Sequence, residues 1–251
     1  MTVEANKRIR HEAARRRTLK VKNKRLLAPN YLAIVFHCDD FGDFASLSPD
    51  DHIKLFLAGA PDERGRPPMR DYTPRAFNPD AGEFTIEFAL HEDPGPATAW
   101  AIAAEVGDTI EIGGPRGSVV IPGSYDWYWL IGDETAIPAI ARRLSECPDS
   151  TVEVLIAVAG PEEQIDLPSS SSHKIQWLHR PPKAADKPDA FLEGIEKMSL
   201  PEGDGFVWIA AEASVAKTLR EALINKGHPM KQMKAAGYWT MGQADKTARF
   251  D

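Results

Sequence analysis

The sequence predicts two domains of different class: a six-stranded antiparallel barrel over about 17–123, then a parallel, Rossmann-like α/β sheet over 124–251. Up to Pro122-Gly123 the apolar residues recur in short alternating runs cut by Gly, Pro and Asp turns, which is how half-buried strands read. Beyond that point the runs become continuously apolar and alternate with helical stretches, as in strands covered on both faces. A chain of 251 residues is long enough for two modest cores.

The elements follow in order. Residues 1–16 read as a basic arm, mobile and partly helical. The formal net charge of −7 conceals a local +9 over residues 7–25, where ten Lys/Arg stand against Glu12. Such a run is either a solvated extension or a surface for an acidic partner. No aromatic residue interleaves it, so it gives no platform for stacking bases, and no nucleic acid is expected as a partner. Strands are expected at 18–21, 31–36, 52–57, 69–73, 84–90 and 109–112, the spacing of a small barrel. Between the last two, Pro96 opens a short helix that places Ala97, Trp100, Ala101 and Ala104 on one face, with Gly107 just beyond its end.

In the second domain, 127–131, 152–158 and 206–210 read as strands, and about 135–147, 188–198 and 214–226 as helices. Residues 169–172 and 181–188 read as loops. An open parallel sheet binds ligands at the C-terminal ends of its strands. Those ends are Gly132-Asp133-Glu134-Thr135, Ala159-Gly160 and Ala211-Glu212-Ala213. No G-x-G-x-x-G occurs, so the usual glycine fingerprint for a dinucleotide is missing.

Composition bounds the function. Hydrophobic residues make up 43% and charged ones 27%, with no apolar run of eighteen, so membrane insertion is not expected. The absence of a signal-peptide pattern points to the cytoplasm. Cys38 and Cys147 are the two cysteines and offer neither a disulfide framework nor metal-ligand spacing. No metal site is expected, and redox chemistry would come from a bound organic cofactor.

Three stretches carry the chemistry. Arg70-Asp71-Tyr72-Thr73, on an extended backbone, sets Arg70 and Tyr72 on one face and Thr73 on the other. An arginine fork, an aromatic and a hydroxyl suit a flat ring with a phosphate tail, although four such residues also make an ordinary edge strand. His91-Glu92-Asp93-Pro94-Gly95-Pro96-Ala97, with Trp100-Ala101, leads into a helix N-terminus whose free amides attract anions. Gly113-Gly114-Pro115-Arg116-Gly117-Ser118 permits a close backbone approach, with a hydroxyl beside it. Glycines and a proline between strands need no ligand, so each stretch alone has a structural reading too.

With these stretches in this order, the chain resembles the siderophore-interacting protein family, flavin-containing ferric-siderophore reductases of the ferredoxin-reductase superfamily. Asp51-His52-Ile53-Lys54-Leu55, Gly132-Asp133-Glu134-Thr135-Ala136-Ile137-Pro138-Ala139-Ile140 and Gly237-Tyr238-Trp239 extend the resemblance over about 17–242. It implies FAD on the barrel, with Arg70 on the pyrophosphate, Tyr72 on the flavin or its ribityl chain and Thr73 near the reactive ring nitrogen. His91, Ala97, Trp100 and Ala101 would line the cofactor, Gly117 and Ser118 would close on its phosphates, and Thr135 and Trp239 would complete the site. Asp133, Glu134 and Glu212 would face the nicotinamide of NADH or NADPH, and Lys54 the ferric siderophore. No side chain is expected to act as nucleophile or acid. The implied activity is reduction of ferric siderophores with electrons from NAD(P)H or reduced ferredoxin. A non-catalytic siderophore carrier and a flavin reductase for another acceptor are the alternatives. Two departures stand out: Thr240 follows Gly-Tyr-Trp where arginine is common in the family, and Ala211 precedes Glu212 where glycine is usual.

Overall fold

The computed structural model describes residues 6–121, 125–243 and 247–250, with 13, 62 and 64 excepted and Arg249 by its backbone only. The chain divides into two compact units, Ala5–Pro122 and Gly123–Asp251. The 123/124 boundary expected from the sequence lies outside the described residues.

The first unit begins with β1 (Lys7–Arg10), β2 (Arg16–Ala28), β3 (Tyr31–His37), β4 (Ile53–Phe56), β5 (Met69–Tyr72), β6 (Ala76–Asn78) and β7 (Glu83–Ala89). Helix α1 (Pro96–Ala103), β8 (Thr109–Gly113) and β9 (Gly117–Val120) complete it. Seven strands form one antiparallel sheet in the order β5-β4-β8-β2-β3-β7-β6. Burial alternates along β2, so that Arg17, Leu19 and Val21 face inward, which is the period-2 signal the sequence carries. β2 also serves two partners. Residues 16–20 pair with β8 and 20–28 with β3, across register shifts at Val21/Asn23 and Leu26/Ala28. Bulges of this kind sharpen strand twist and wrap a sheet on itself. Leu19, Ile34, Phe36, Ile53, Leu55, Phe84, Ile86, Phe88 and Ile112 fill the core.

Two expectations need correction here. The sheet has seven strands, the added one being the three-residue β6, which is too short to show a period. Residues 7–10 are neither a mobile arm nor helical; they form β1, paired antiparallel with β9. Gly117 makes this possible: a Cβ there would lie 2.5 Å from the Ile9 carbonyl oxygen, so only a residue without one lets β1 close on β9.

The second unit contains β10 (Trp127–Asp133), α2 (Ile137–Glu146), β11 (Thr151–Val158), β12 (His173–His179), α3 (Asp189–Lys197), β13 (Gly205–Glu212), α4 (Ala213–Asn225), β14 (Met233–Trp239) and β15 (Ala248–Phe250). The sheet order is β12-β11-β10-β13-β14-β15. The first five strands are parallel and β15 runs antiparallel to β14. β10 and β13, both buried along their whole length, form its centre. Gly132 lets α2 begin close against them, since a Cβ would meet Ala136 Cβ at 2.4 Å and Ala210 O at 2.7 Å. Strands β12, β14 and β15 were not expected. β12 carries the polar, alternating pattern of an edge strand between two loops, and β14 runs through Lys-Ala-Ala-Gly, all weak strand formers.

Candidate functional site

Two groups of side chains stand out, one in each unit. In the first, antiparallel pairing places Arg70 opposite Leu55 and Tyr72 opposite Ile53, so both motif residues share the face of the buried Ile53 and Leu55. The Tyr72 ring packs on Phe88 at 4.7 Å, and its hydroxyl bonds Thr98 on α1. Burial pushes that hydroxyl up to about 12, against the opposing pull of Thr98 and Arg70. Arg70 Nη1 donates to the Met69 carbonyl at 2.7 Å, and Thr73 is buried just past the strand.

The Tyr72–Thr98 contact ties β5 to the start of α1. There Ala97 and Ala101 are buried, and Trp100 stacks on Phe36 at 6.2 Å with the rings 16° from parallel. Gly95 caps α1 without any side-chain hydrogen bond, leaving the positive end of the helix open to an anion. An arginine fork, an inward aromatic and an uncapped helix start, linked through one hydroxyl pair, make a donor set that suits a ring-bearing pyrophosphate. The residues present therefore fit FAD. His91 sits exposed in the turn before α1.

Three expected residues of this unit are engaged elsewhere. Ser118 is buried; its hydroxyl donates to Asp51 Oδ2 at 2.5 Å, accepts from Leu47 N at 3.0 Å and meets His11 Nε2 at 2.7 Å. One donor and two lone pairs are thereby used, so Ser118 fastens β1 and the 46–51 turn where a phosphate contact was expected. Gly117, as shown above, serves the β1 pairing. Lys54 faces away from the core and binds Asp71 across β4–β5, its Nζ 2.7 Å and 2.8 Å from the two carboxylate oxygens.

In the second unit, Asp133, Glu134, Thr135, Glu212 and Trp239 gather at the C-terminal ends of β10, β13 and β14. Asp133 is their hub, 1% exposed. Its Oδ1 accepts from the Thr135 amide and hydroxyl at 3.0 and 2.6 Å, and its Oδ2 from the Trp239 indole and the Glu212 amide at 2.9 and 3.1 Å. Thr135 and Trp239, expected against the cofactor, thus spend their donors on Asp133. The Glu212 carboxylate caps α4, accepting from the Ser214 and Val215 amides. Those bonds hold it below the usual range although burial opposes them.

Glu134 is different. Burial and the neighbouring Asp133 charge push its carboxyl up to about 7, and the Arg180 guanidinium only partly offsets them. Arg180 Nη2 lies 2.8 Å from Glu134 Oε2 and 4.0 Å from Asp133. Sequence reading missed Arg180 because the strand it follows, β12, was not recognised; the alternating His173–His179 pattern was the available signal.

Comparison with known proteins bears on the family and the fold. A model described as the siderophore-interacting FAD-binding domain matches residues 20–65 and 58–119, and one described as siderophore-interacting protein matches 125–242. The NADPH-dependent ferric-chelate reductase of Escherichia coli (strain K12) is 31% identical over 252 residues, covering 92% of this chain and 95% of that protein. The ferric vibriobactin reductase ViuB of Vibrio cholerae is 26% identical over 249 residues, covering 92% and 91%. The crystal structure of a siderophore utilization protein from T. fusca superposes with a TM-score of 0.83 at 32% identity, covering 100% of this chain and 98% of that one. With both units matched and near-full coverage at this identity, the chain belongs to the siderophore-interacting protein family.

Proposed function

We propose that the protein is an FAD-dependent ferric-siderophore reductase that takes electrons from a nicotinamide nucleotide and releases iron as Fe(II). The observation that carries this reading is the Tyr72–Thr98 tie, which joins the Arg70-Tyr72 face to the uncapped start of α1. Two relatives with near-full coverage, named as ferric-chelate and ferric vibriobactin reductases, support it.

Arg70 and the first amides of α1 would hold the pyrophosphate, and Tyr72 and Thr73 the ring system. FAD, when bound, converts a two-electron donor into single-electron delivery, chemistry that no side chain of the chain offers. The protein's own task is binding and orientation, so no residue is assigned as an acid or nucleophile. Lys54 supplies positive charge for an anionic chelate, restrained by Asp71 beside it. Reduction lowers the ionic charge of the metal, and hard oxygen donors then hold it less tightly.

Reduced ferredoxin is a second donor to test, and the cytoplasm, where reduced nicotinamide nucleotides are made, is the proposed site of the reaction. No helix among the described residues is long and apolar enough to cross a membrane.

The test is anaerobic. The purified protein is loaded with FAD, its visible spectrum recorded, and a ferric siderophore added with NADPH, NADH or reduced ferredoxin and an Fe(II) trap. Flavin bands that bleach with one donor and recover as trapped Fe(II) appears are the expected result. A protein that takes up no FAD, or binds the chelate without ever forming Fe(II), would refute the reductase reading.

A further inference from the structure

The C-terminal edge of the parallel sheet holds an arginine that no motif accounts for. The Arg180 amide donates to the Val158 carbonyl at 3.0 Å, which places the residue, one past the end of β12, beside the last residue of β11. From there its side chain reaches back to the end of β10, at Glu134. This is the edge at which open parallel sheets take their ligands. The residue is 4% exposed, yet its Nε is buried with no hydrogen-bond partner. A guanidinium is a planar fork suited to bidentate oxyanions, and here both described carboxylate contacts fall on Nη2, Glu134 Oε2 at 2.8 Å and Asp133 Oδ2 at 4.0 Å.

The acid opposite is a weak holder. Burial and Asp133 both push the Glu134 carboxyl toward its neutral form. Asp133 cannot replace it, because its two oxygens already accept four hydrogen bonds. Nor is there a glycine-rich turn to cradle a phosphate with backbone amides, so a side chain must do so if a nucleotide binds here.

We infer that Arg180 anchors a phosphate of the nicotinamide nucleotide, and that Glu134 holds the guanidinium until the nucleotide displaces its carboxylate. This rests on the NAD(P)H reading above. As Arg180 turns to the phosphate, Glu134 loses its counter-charge and takes a proton from solvent. The charged groups around it are Asp133 on β10, Arg180 after β12 and Glu212 at the end of β13, the last with its carboxylate occupied by α4 amides. Nucleotide binding therefore takes up a proton, and affinity falls as pH rises through about 7.

The experiment is calorimetric titration of the FAD-loaded protein with NADPH, NADH, 2′,5′-ADP and inorganic pyrophosphate, each in two buffers of different ionisation enthalpy between pH 6 and 8.5. The expected result is proton uptake by the wild type. Arg180→Met should weaken binding about ten- to hundredfold, the worth of a charge-assisted hydrogen bond, with FAD content unchanged. The probe that loses affinity identifies which phosphate Arg180 meets. Glu134→Gln should keep nucleotide binding and lose the proton uptake. If Arg180→Met fails to fold, Arg180→Met/Glu134→Gln leaves no unpaired charge and carries the same test. Arg180→Met, or the double variant, binding every probe as the wild type does overturns the anchor, and wild-type binding without proton uptake overturns the role of Glu134. A wild type that binds none of the probes removes the NAD(P)H reading itself, a failure distinct from the other two because it needs no variant.

Discussion

Asp133 illustrates how a site can be legible in position and illegible in direction. Its place at the end of a continuously apolar run marks it as a strand-end carboxylate, and Glu134 and Glu212 follow from the same logic. Nothing in the linear sequence says that Thr135 and Trp239 would turn their donors inward onto it, because that depends on β14 lying beside β13. Asp133→Asn keeps one acceptor oxygen and sets an amide against two donors, so it should destabilise the protein by about 2–4 kcal/mol, measured by urea unfolding. Glu134 gives a pH signature. Its folded-state carboxyl is raised from 4.5 to about 7, so the native state binds more protons than the unfolded state across that interval. Stability then decreases as pH climbs from about 4.5 to 7, by roughly 1–3 kcal/mol. Unfolding free energies of Glu134→Gln against the wild type should show this slope removed; parallel curves would refute it.

Elements were readable where they alternate burial, run fully apolar or, like the edge strand β5, carry a motif; most of those missed sit at an edge, the exception being β14, interior but built on Lys-Ala-Ala-Gly. The barrel strands and the four helices belong to the first kind. β6, β12 and β15 sit at sheet edges, where one side lacks a neighbour and composition relaxes. β1 is a special case: ten basic residues between 7 and 25 signal a solvated segment, and only the missing Cβ of Gly117 reveals a docked one. Gly117→Ala puts a methyl group 2.5 Å from Ile9 O, so β1 should lift from β9 while the seven-stranded sheet stays intact. Hydrogen exchange should speed up at residues 7–10 and remain slow in β3 and β7.

At the scale of the whole molecule, cofactor and fold are linked by mass action. A ligand that binds only the native state raises stability in proportion to the logarithm of its concentration over Kd. The Tm of the intact chain should therefore climb with added FAD. Arg70→Ala should leave the apoprotein Tm near that of the wild type, because Arg70 is half-buried at the sheet edge, and should weaken FAD binding about ten- to hundredfold. Thermal shift at graded FAD concentrations measures both. The two-unit division also separates the two groups of side chains, Arg70, Tyr72 and the start of α1 in one unit and Asp133, Glu134 and Arg180 in the other.

The pairing of β1 with β9, and of the first half of β2 with β8, has a consequence for biosynthesis. Lys7 meets Val120 and Arg16 meets Gly113, so these strands find their partners only after about a hundred further residues have been made. At about 5–20 residues per second, those strands stay open for roughly 5–20 s. Over that interval the positive charge of residues 7–25 keeps the nascent segment soluble and self-repelling, which guards its unpaired edges against premature association.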